Sequence, residues 1–237
     1  MKKTTGIIIA ICVVVAIVVA AFVITKKNDE PELPTYNPQA ASKVVAAQGD
    51  SQNSNVTKDD IKIVQDFTYT SDDECNAVAI LENTGAGDAA VAVVAKAYDS
   101  KKSIVGTERE TVFIDSGAQT VVQFEFDDPM DSVDNIEYSI NASKATTITP
   151  GLKNIFFDTK KKGNVVNVTA TNKGEYDLKS AKVNVLFYKD GNLVEAESDE
   201  LGEDAGVFAK GATVTEGLDC DKDFDKTEVF FSQTLDK

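Results

Sequence analysis

The stretch NVLFYKDGNLV, residues 184–194, decides how the rest of the chain is read. Apolar residues run into Lys-Asp-Gly-Asn and out again into Leu and Val, the pattern of two β-strands joined by a tight turn. About ninety residues earlier, VVAKAYDSKKSIV (93–105) writes a similar hairpin with a longer connection, which points to an internal repeat.

Working outward from the two hairpins, the chain keeps a period of two. IKIVQDFTYT places Ile61, Ile63, Phe67 and Tyr69 on one face, and AAVAVVAKAY alternates Val91, Val93, Ala95 and Ala97 with other neighbours. TVVQFEF groups Val122, Phe124 and Phe126, and NIEYSI groups Ile136, Tyr138 and Ile140. Short strands separated by turn signals predict an all-β sandwich. NAVAILENTG from Asn76 answers NVVNVTATNKG from Asn164, Tyr98 answers Tyr188, SGA at 116–118 answers KGA at 210–212, and NIEYSI answers TEVFFS. The spacing drifts at Glu175 to Leu178 and in GEDAGVFAK, where the second copy has longer loops, and insertions belong in loops. Pro150-Gly151 breaks the pattern between the copies.

The pattern of Asn172 and Gly174, then VNVLFYKDG from Val183 to Gly191, then Lys210-Gly211 before a final aromatic strand, resembles the FxLYD-type extracellular β-sandwich domain. The first copy departs from it, with Ala97-Tyr98-Asp99 and no glycine in the turn. The resemblance implies two tandem immunoglobulin-like sandwiches in a secreted or anchored bacterial protein, and it supplies no catalytic residues.

Ahead of the strands lies IIIAICVVVAIVVAAFVI, Ile7 to Ile24, with no polar side chain; with Gly6 the apolar run covers residues 6–24. As a helix it is long enough for the ~30 Å hydrocarbon core. A retained anchor and a cleaved signal both fit, the run being longer than the usual ~7–15-residue signal core. Residues 26–60 are rich in Pro, Asn, Gln, Ser and Asp, a composition expected of a disordered stalk. The predicted organisation is therefore an anchor or uncleaved signal at 1–25, a linker at 26–60, and sandwiches at 61–148 and 149–237. The folded part is expected outside the membrane, with the chain a single-pass protein of the cell membrane.

The net charge of −15, with 39 acidic residues against 24 basic, excludes nucleic acid as a natural partner, because such affinity comes from Lys and Arg displacing counterions. The chain contains no histidine, which removes Ser-His and Cys-His nucleophilic pairs and the common zinc sets. No enzyme activity, catalytic residue or organic cofactor is expected. Three groups of residues are candidates for binding or bonding. Asp219, Asp221, Asp223 and Asp225 alternate in LDCDKDFDKTE like half of a calcium loop, but Phe224 and Phe230 stand where an EF-hand needs Gly and Glu; weak calcium ligation and a solvated acidic loop both fit. Cys75 and Cys220 are a disulfide candidate or two free thiols. Adjacent aromatics such as Phe156, Tyr188 and Phe230 either form a partner surface or pack against the other copy. Composition thus leaves a non-catalytic binding or structural role at the cell envelope toward an unidentified protein or cell-wall ligand. Its alternatives are a secreted calcium-dependent adhesive module and an assembly subunit that uses strand edges.

Overall fold

Alternating burial along nearly every strand is what builds this chain: one face goes to a core and the other to solvent or to a second sheet. The computed structural model describes residues 56–234, apart from 72, 128, 129 and 203–205. The expected span at 6–24 and most of the expected linker lie outside the described residues, among which no helix is long and apolar enough to cross a membrane.

Six strands make up the N-terminal half: β1 (Ile61–Ser71), β2 (Glu74–Asn83), β3 (Ala89–Tyr98), β4 (Ile104–Ile114), β5 (Gln119–Phe126) and β6 (Asn135–Lys144). They form two antiparallel sheets, ordered β1-β2-β5 and β4-β3-β6. The C-terminal half contains β7 (Ile155–Lys162), β8 (Val165–Asn172), β9 (Leu178–Lys179), β10 (Ala181–Lys189), β11 (Asn192–Glu200), β12 (Val207–Phe208), β13 (Thr213–Asp219) and β14 (Lys226–Gln233). Its sheets are ordered β13-β8-β7 and β11-β10-β14, and β9 pairs with β12 in a small extra ribbon. The topology is the same twice over, with β1, β2, β3, β4, β5 and β6 matched by β7, β8, β10, β11, β13 and β14. The extra ribbon falls where the repeat spacing drifts in the sequence.

The repeat extends to individual hydrogen bonds. A short 3-10 turn precedes each half, Lys58–Asp60 and Leu152–Asn154. The carbonyl of Asp60 accepts from Thr84 N–H at 2.8 Å, and that of Asn154 accepts from Lys173 N–H at 3.0 Å. Val56 packs against the first core, so the fold begins before residue 61, inside the stretch expected to be linker. The buried amides of Asn83 and Asn172 repeat as well. Asn83 donates through Nδ2 to the carbonyls of Gly87, Ile114 and Asp115, and Asn172 donates to those of Tyr176 and Phe208. Each accepts a glycine N–H on Oδ1, from Gly85 and Gly174.

In the opening hairpin, Lys189 faces Asn192 across a two-residue turn in which Asp190 and Gly191 have φ of 52° and 83°. Two positive φ values match the right-handed twist of the strands, and Asp-Gly supplies them at little cost. The first copy closes differently. Asp99 Oδ1 accepts from Lys101 N–H and Ser103 N–H, holding a longer loop with Lys102 at φ 64°. Both hairpins carry a bulge just before the tyrosine, at Ala97/Tyr98 and Phe187/Tyr188.

Each half has its own core. Ala77, Ala79 and Leu81 of β2 meet Val91, Val93 and Ala95 of β3 in the first, and Val166, Val168 and Ala170 meet Val183, Val185 and Phe187 in the second. A third buried cluster joins the halves. Tyr69, Val78, Ile80 and Val121 from the outer face of β1-β2-β5 pack on Leu186, Tyr188, Leu193, Ala196 and Phe230 from the outer face of β11-β10-β14, with Phe67 at its edge. Four sheets are thus layered, with three apolar seams between them. Polar groups span the joint: Thr120 Oγ1 donates to Phe231 O at 2.8 Å, Tyr69 Oη to Ala196 O at 3.3 Å, and Gln123 Nε2 to Asn184 Oδ1 at 3.2 Å. A β-bridge between Val112 and Thr234 adds a backbone link.

Candidate functional site

Beside the joint, where the edge of one outer sheet face leaves off, an open cleft of about 780 Å³ separates the halves. Its first wall is the end of β1 and the following turn, with Tyr69, Thr70, Ser71 and Asp73. Its second is β11, with Leu193, Val194, Glu195 and Glu197, and it is completed by Asp219 at the end of β13 and by Asp221 and Lys222 in the β13–β14 connection. Five carboxylates against one ammonium make it strongly anionic.

The chain sets these groups there for local reasons. The β10–β11 bulge re-aims β11 so that Leu193 and Ala196 face the joint. Glu195 is buried, and its Oε2 accepts a hydrogen bond from Cys220 Sγ at 3.1 Å. Cys220 and Phe224 fold into the second core from a loop whose aspartates stay exposed. Lys222 crosses the cleft: its Nζ donates to Thr70 O in the first half and, at 2.9 Å, to Val194 O in the second. Its charge also lies 5.8 Å from the Tyr69 ring centroid.

The electrostatics follow from this crowding. Burial pushes the Glu197 carboxyl above its ordinary value, and the neighbouring charges of Glu195, Asp219 and Asp221 push it further. Burial raises the Tyr69 phenol as well, helped by Glu197 and Glu195. Burial and then the hydrogen bond to Glu195 push the Cys220 thiol up to about 12, so it is a poor nucleophile. Cationic groups are what this cleft can attract.

The residues singled out in the sequence are scattered. Asp219 and Asp221 line the cleft, Asp223 is exposed and does not line it, and Asp225 serves the hairpin. Asp225 Oδ2 accepts from Asp190 N–H at 3.1 Å and lies 3.7 Å from Lys189 Nζ. Asp219 and Asp221 thus share the cleft, whereas Asp225 is engaged by the hairpin turn. Among the described residues no three acidic or cysteine side chains are placed to hold a metal.

Cys75 and Cys220 are free thiols rather than a disulfide, each buried in the core of its own half. Tyr188 and Phe230 lie in the joint and are not available to a separate partner; Phe156 alone of the three is exposed, with the Lys173 ammonium 4.5 Å from its ring centroid. Glu195, Glu197, Asp73 and Lys222 were not singled out in the sequence. Their signal was faint: Glu195 and Glu197 stand two apart in a strand, but only the bulge in the β10–β11 register shows that they share the face of Phe187 and Val185 rather than that of the joint.

No protein-family model matches this chain, and no curated protein matches it. Among solved structures it is similar to a red sea bream transglutaminase, at 12% identity and a TM-score of 0.22, over 74% of this chain and 32% of that one. A likeness at that score carries no argument about fold or activity, and the chain spans 32% of that structure's length.

Proposed function

We propose that this chain is a membrane-anchored, extracytoplasmic binding or structural protein of a bacterial cell envelope, without catalytic activity of its own. Its two sandwiches are immunoglobulin-like and of the FxLYD type. They serve as one stiff head on a stalk, and the anionic cleft beside the joint receives a cationic group of the ligand. The observation that carries this reading is the sealed joint: Tyr69, Val78, Ile80, Val121, Leu186, Tyr188 and Phe230 are buried between halves that would otherwise be hinged. A head fixed in this way suits presentation of a surface at a set distance.

Cysteine labelling in intact cells tests the location. Ser100 is exposed in the β3–β4 turn, Cys75 and Cys220 are buried and give little background, and Cys12→Ser removes the third thiol. A Ser100→Cys chain should react with a membrane-impermeant maleimide before lysis and sediment with membranes at full mass. Labelling only after lysis would place the head inside the cell. Recovery of a shortened, labelled chain in the medium would support the secreted adhesive alternative.

A further inference from the structure

The joint is asymmetric: it mates the outer face of a β1-β2-β5 sheet in one half with the outer face of a β4-β3-β6-type sheet in the other. Each half therefore has one mated face and one free face, and each free face is the counterpart of a face that is mated elsewhere in the same chain. A contact of this head-to-tail kind does not close on itself and can in principle propagate.

The strand registers allow the free faces to be compared with their mated counterparts residue by residue. In the first half Ile80 lies between Gln65 and Val121, and in the second Thr169 lies between Asp158 and Thr215. Val78 lies between Phe67 and Gln123, and Asn167 between Lys160 and Gly217. Asn76 pairs with Tyr69, and Val165 with Lys162. The five apolar positions of the mated face, Phe67, Tyr69, Val78, Ile80 and Val121, thus become Lys160, Lys162, Asn167, Thr169 and Thr215 on the free one. Thr169 and Thr215 also hydrogen-bond each other at 2.8 Å, as do Thr171 and Thr213, so the hydroxyls are satisfied within the face.

The other pair of faces shows the same replacement. Leu186 lies between Ala196 and Glu228, and Lys96 lies between Thr107 and Glu137. Phe230 pairs with Asn184, and Ser139 with Val94. Leu186, Ala196 and Phe230 of the joint are therefore answered by Lys96, Thr107 and Ser139. Only Tyr98 and Ile104, the counterparts of Tyr188 and Leu193, stay apolar at the hairpin tip, and Ile104 is 54% exposed.

We infer that the two outward faces are polarised counterparts of the joint that stop the stack at two sandwiches, so that a second copy of this chain does not add to either end. The positions changed are those that the joint buries, and lysine on both free faces is the residue that most opposes burial against a like sheet.

Mating of two variants in trans tests the inference, with full-length chains in detergent and sedimentation velocity as the readout. One variant restores the first face (Lys160→Phe, Lys162→Tyr, Asn167→Val, Thr169→Ile, Thr215→Val), and the other restores the second (Lys96→Leu, Thr107→Ala, Ser139→Phe). The wild-type chain and each variant alone should sediment as single chains, and the mixture should give a one-to-one pair. Single chains in the mixture, when both variants retain a cooperative melt, would overturn the inference. So would concentration-dependent association of the wild-type chain that Ile104→Lys abolishes, a measurement that does not depend on either variant folding.

Discussion

Two buried asparagines do for each half what no apolar residue could. Asn83 and Asn172 close the end of β2 and β8 by donating to carbonyls of neighbouring loops while accepting from Gly85 and Gly174. Removing either amide leaves several buried carbonyls without a donor, at about 1–3 kcal/mol for each group left unsatisfied. Asn83→Ala and Asn172→Ala are each expected to lower the melting temperature by roughly 10 °C, and Asn→Asp to restore only part of the loss, since a carboxylate cannot donate. Calorimetry of both series gives the comparison. The Asn-x-Gly pattern was visible in the sequence, but its role was not, because beyond one carbonyl four residues on, the carbonyls it serves lie 31 to 36 residues further along the chain. Gly106 is a second position of this kind: a Cβ there would stand 2.5 Å from the Phe126 ring. Gly106→Ala should destabilise the first half by shifting that ring, and loss of near-ultraviolet circular dichroism would register the shift.

At the scale of elements, strands, turns and the duplicated order could be read from period-two patterning, because in-out alternation is written directly in residue type. The register could not. Matching the words of the sequence sets Asn76 against Asn164 and NIEYSI against TEVFFS, whereas the hydrogen bonds set Asn76 against Val165 and Asn135 against Lys226. A slip of one residue moves every side chain to the opposite face. The sequence alignment therefore hid which positions the joint had made apolar. For Tyr188 and Phe230 the sequence left a partner surface and packing against the other copy both open, and the joint shows the packing. The joint predicts that these residues matter to both halves at once. Phe230→Ala should cost about 3–5 kcal/mol, as for a phenylalanine in a core, and should separate one unfolding transition into two. Phe156→Ala, at an exposed position, should change stability by less than about 0.5 kcal/mol.

For the whole molecule, the anionic cleft sets how stability responds to pH. Glu197 has its carboxyl raised in the folded state by burial and by Glu195, Asp219 and Asp221. A raised carboxyl favours the folded state most when protonated, below the ordinary carboxylate range, and that advantage is lost as pH rises through its folded value. Glu197→Gln should accordingly raise the melting temperature at neutral pH and have little effect at about pH 4. High salt should diminish the difference, since neighbouring charges supply part of it. None of this was legible in the composition: a net charge of −15 predicts repulsion everywhere, and only the packing of β11 against the end of β13 within the second half brings Glu195 and Glu197 near Asp219 and Asp221.

The order in which the joint is made carries a consequence for synthesis. The first half contains all the strands of its two sheets by Lys144, whereas its apolar outer face is covered only by β10, β11 and β14, the last of which ends at Gln233. At about 5–20 residues per second, the interval between those points is on the order of ten seconds. During that time a folded sandwich would show Phe67, Tyr69, Val78, Ile80 and Val121 to whatever is near. The molecule's greatest exposure to wrong partners thus comes while it is still being made, and a factor that shelters it then would have no surface to hold once the chain is complete.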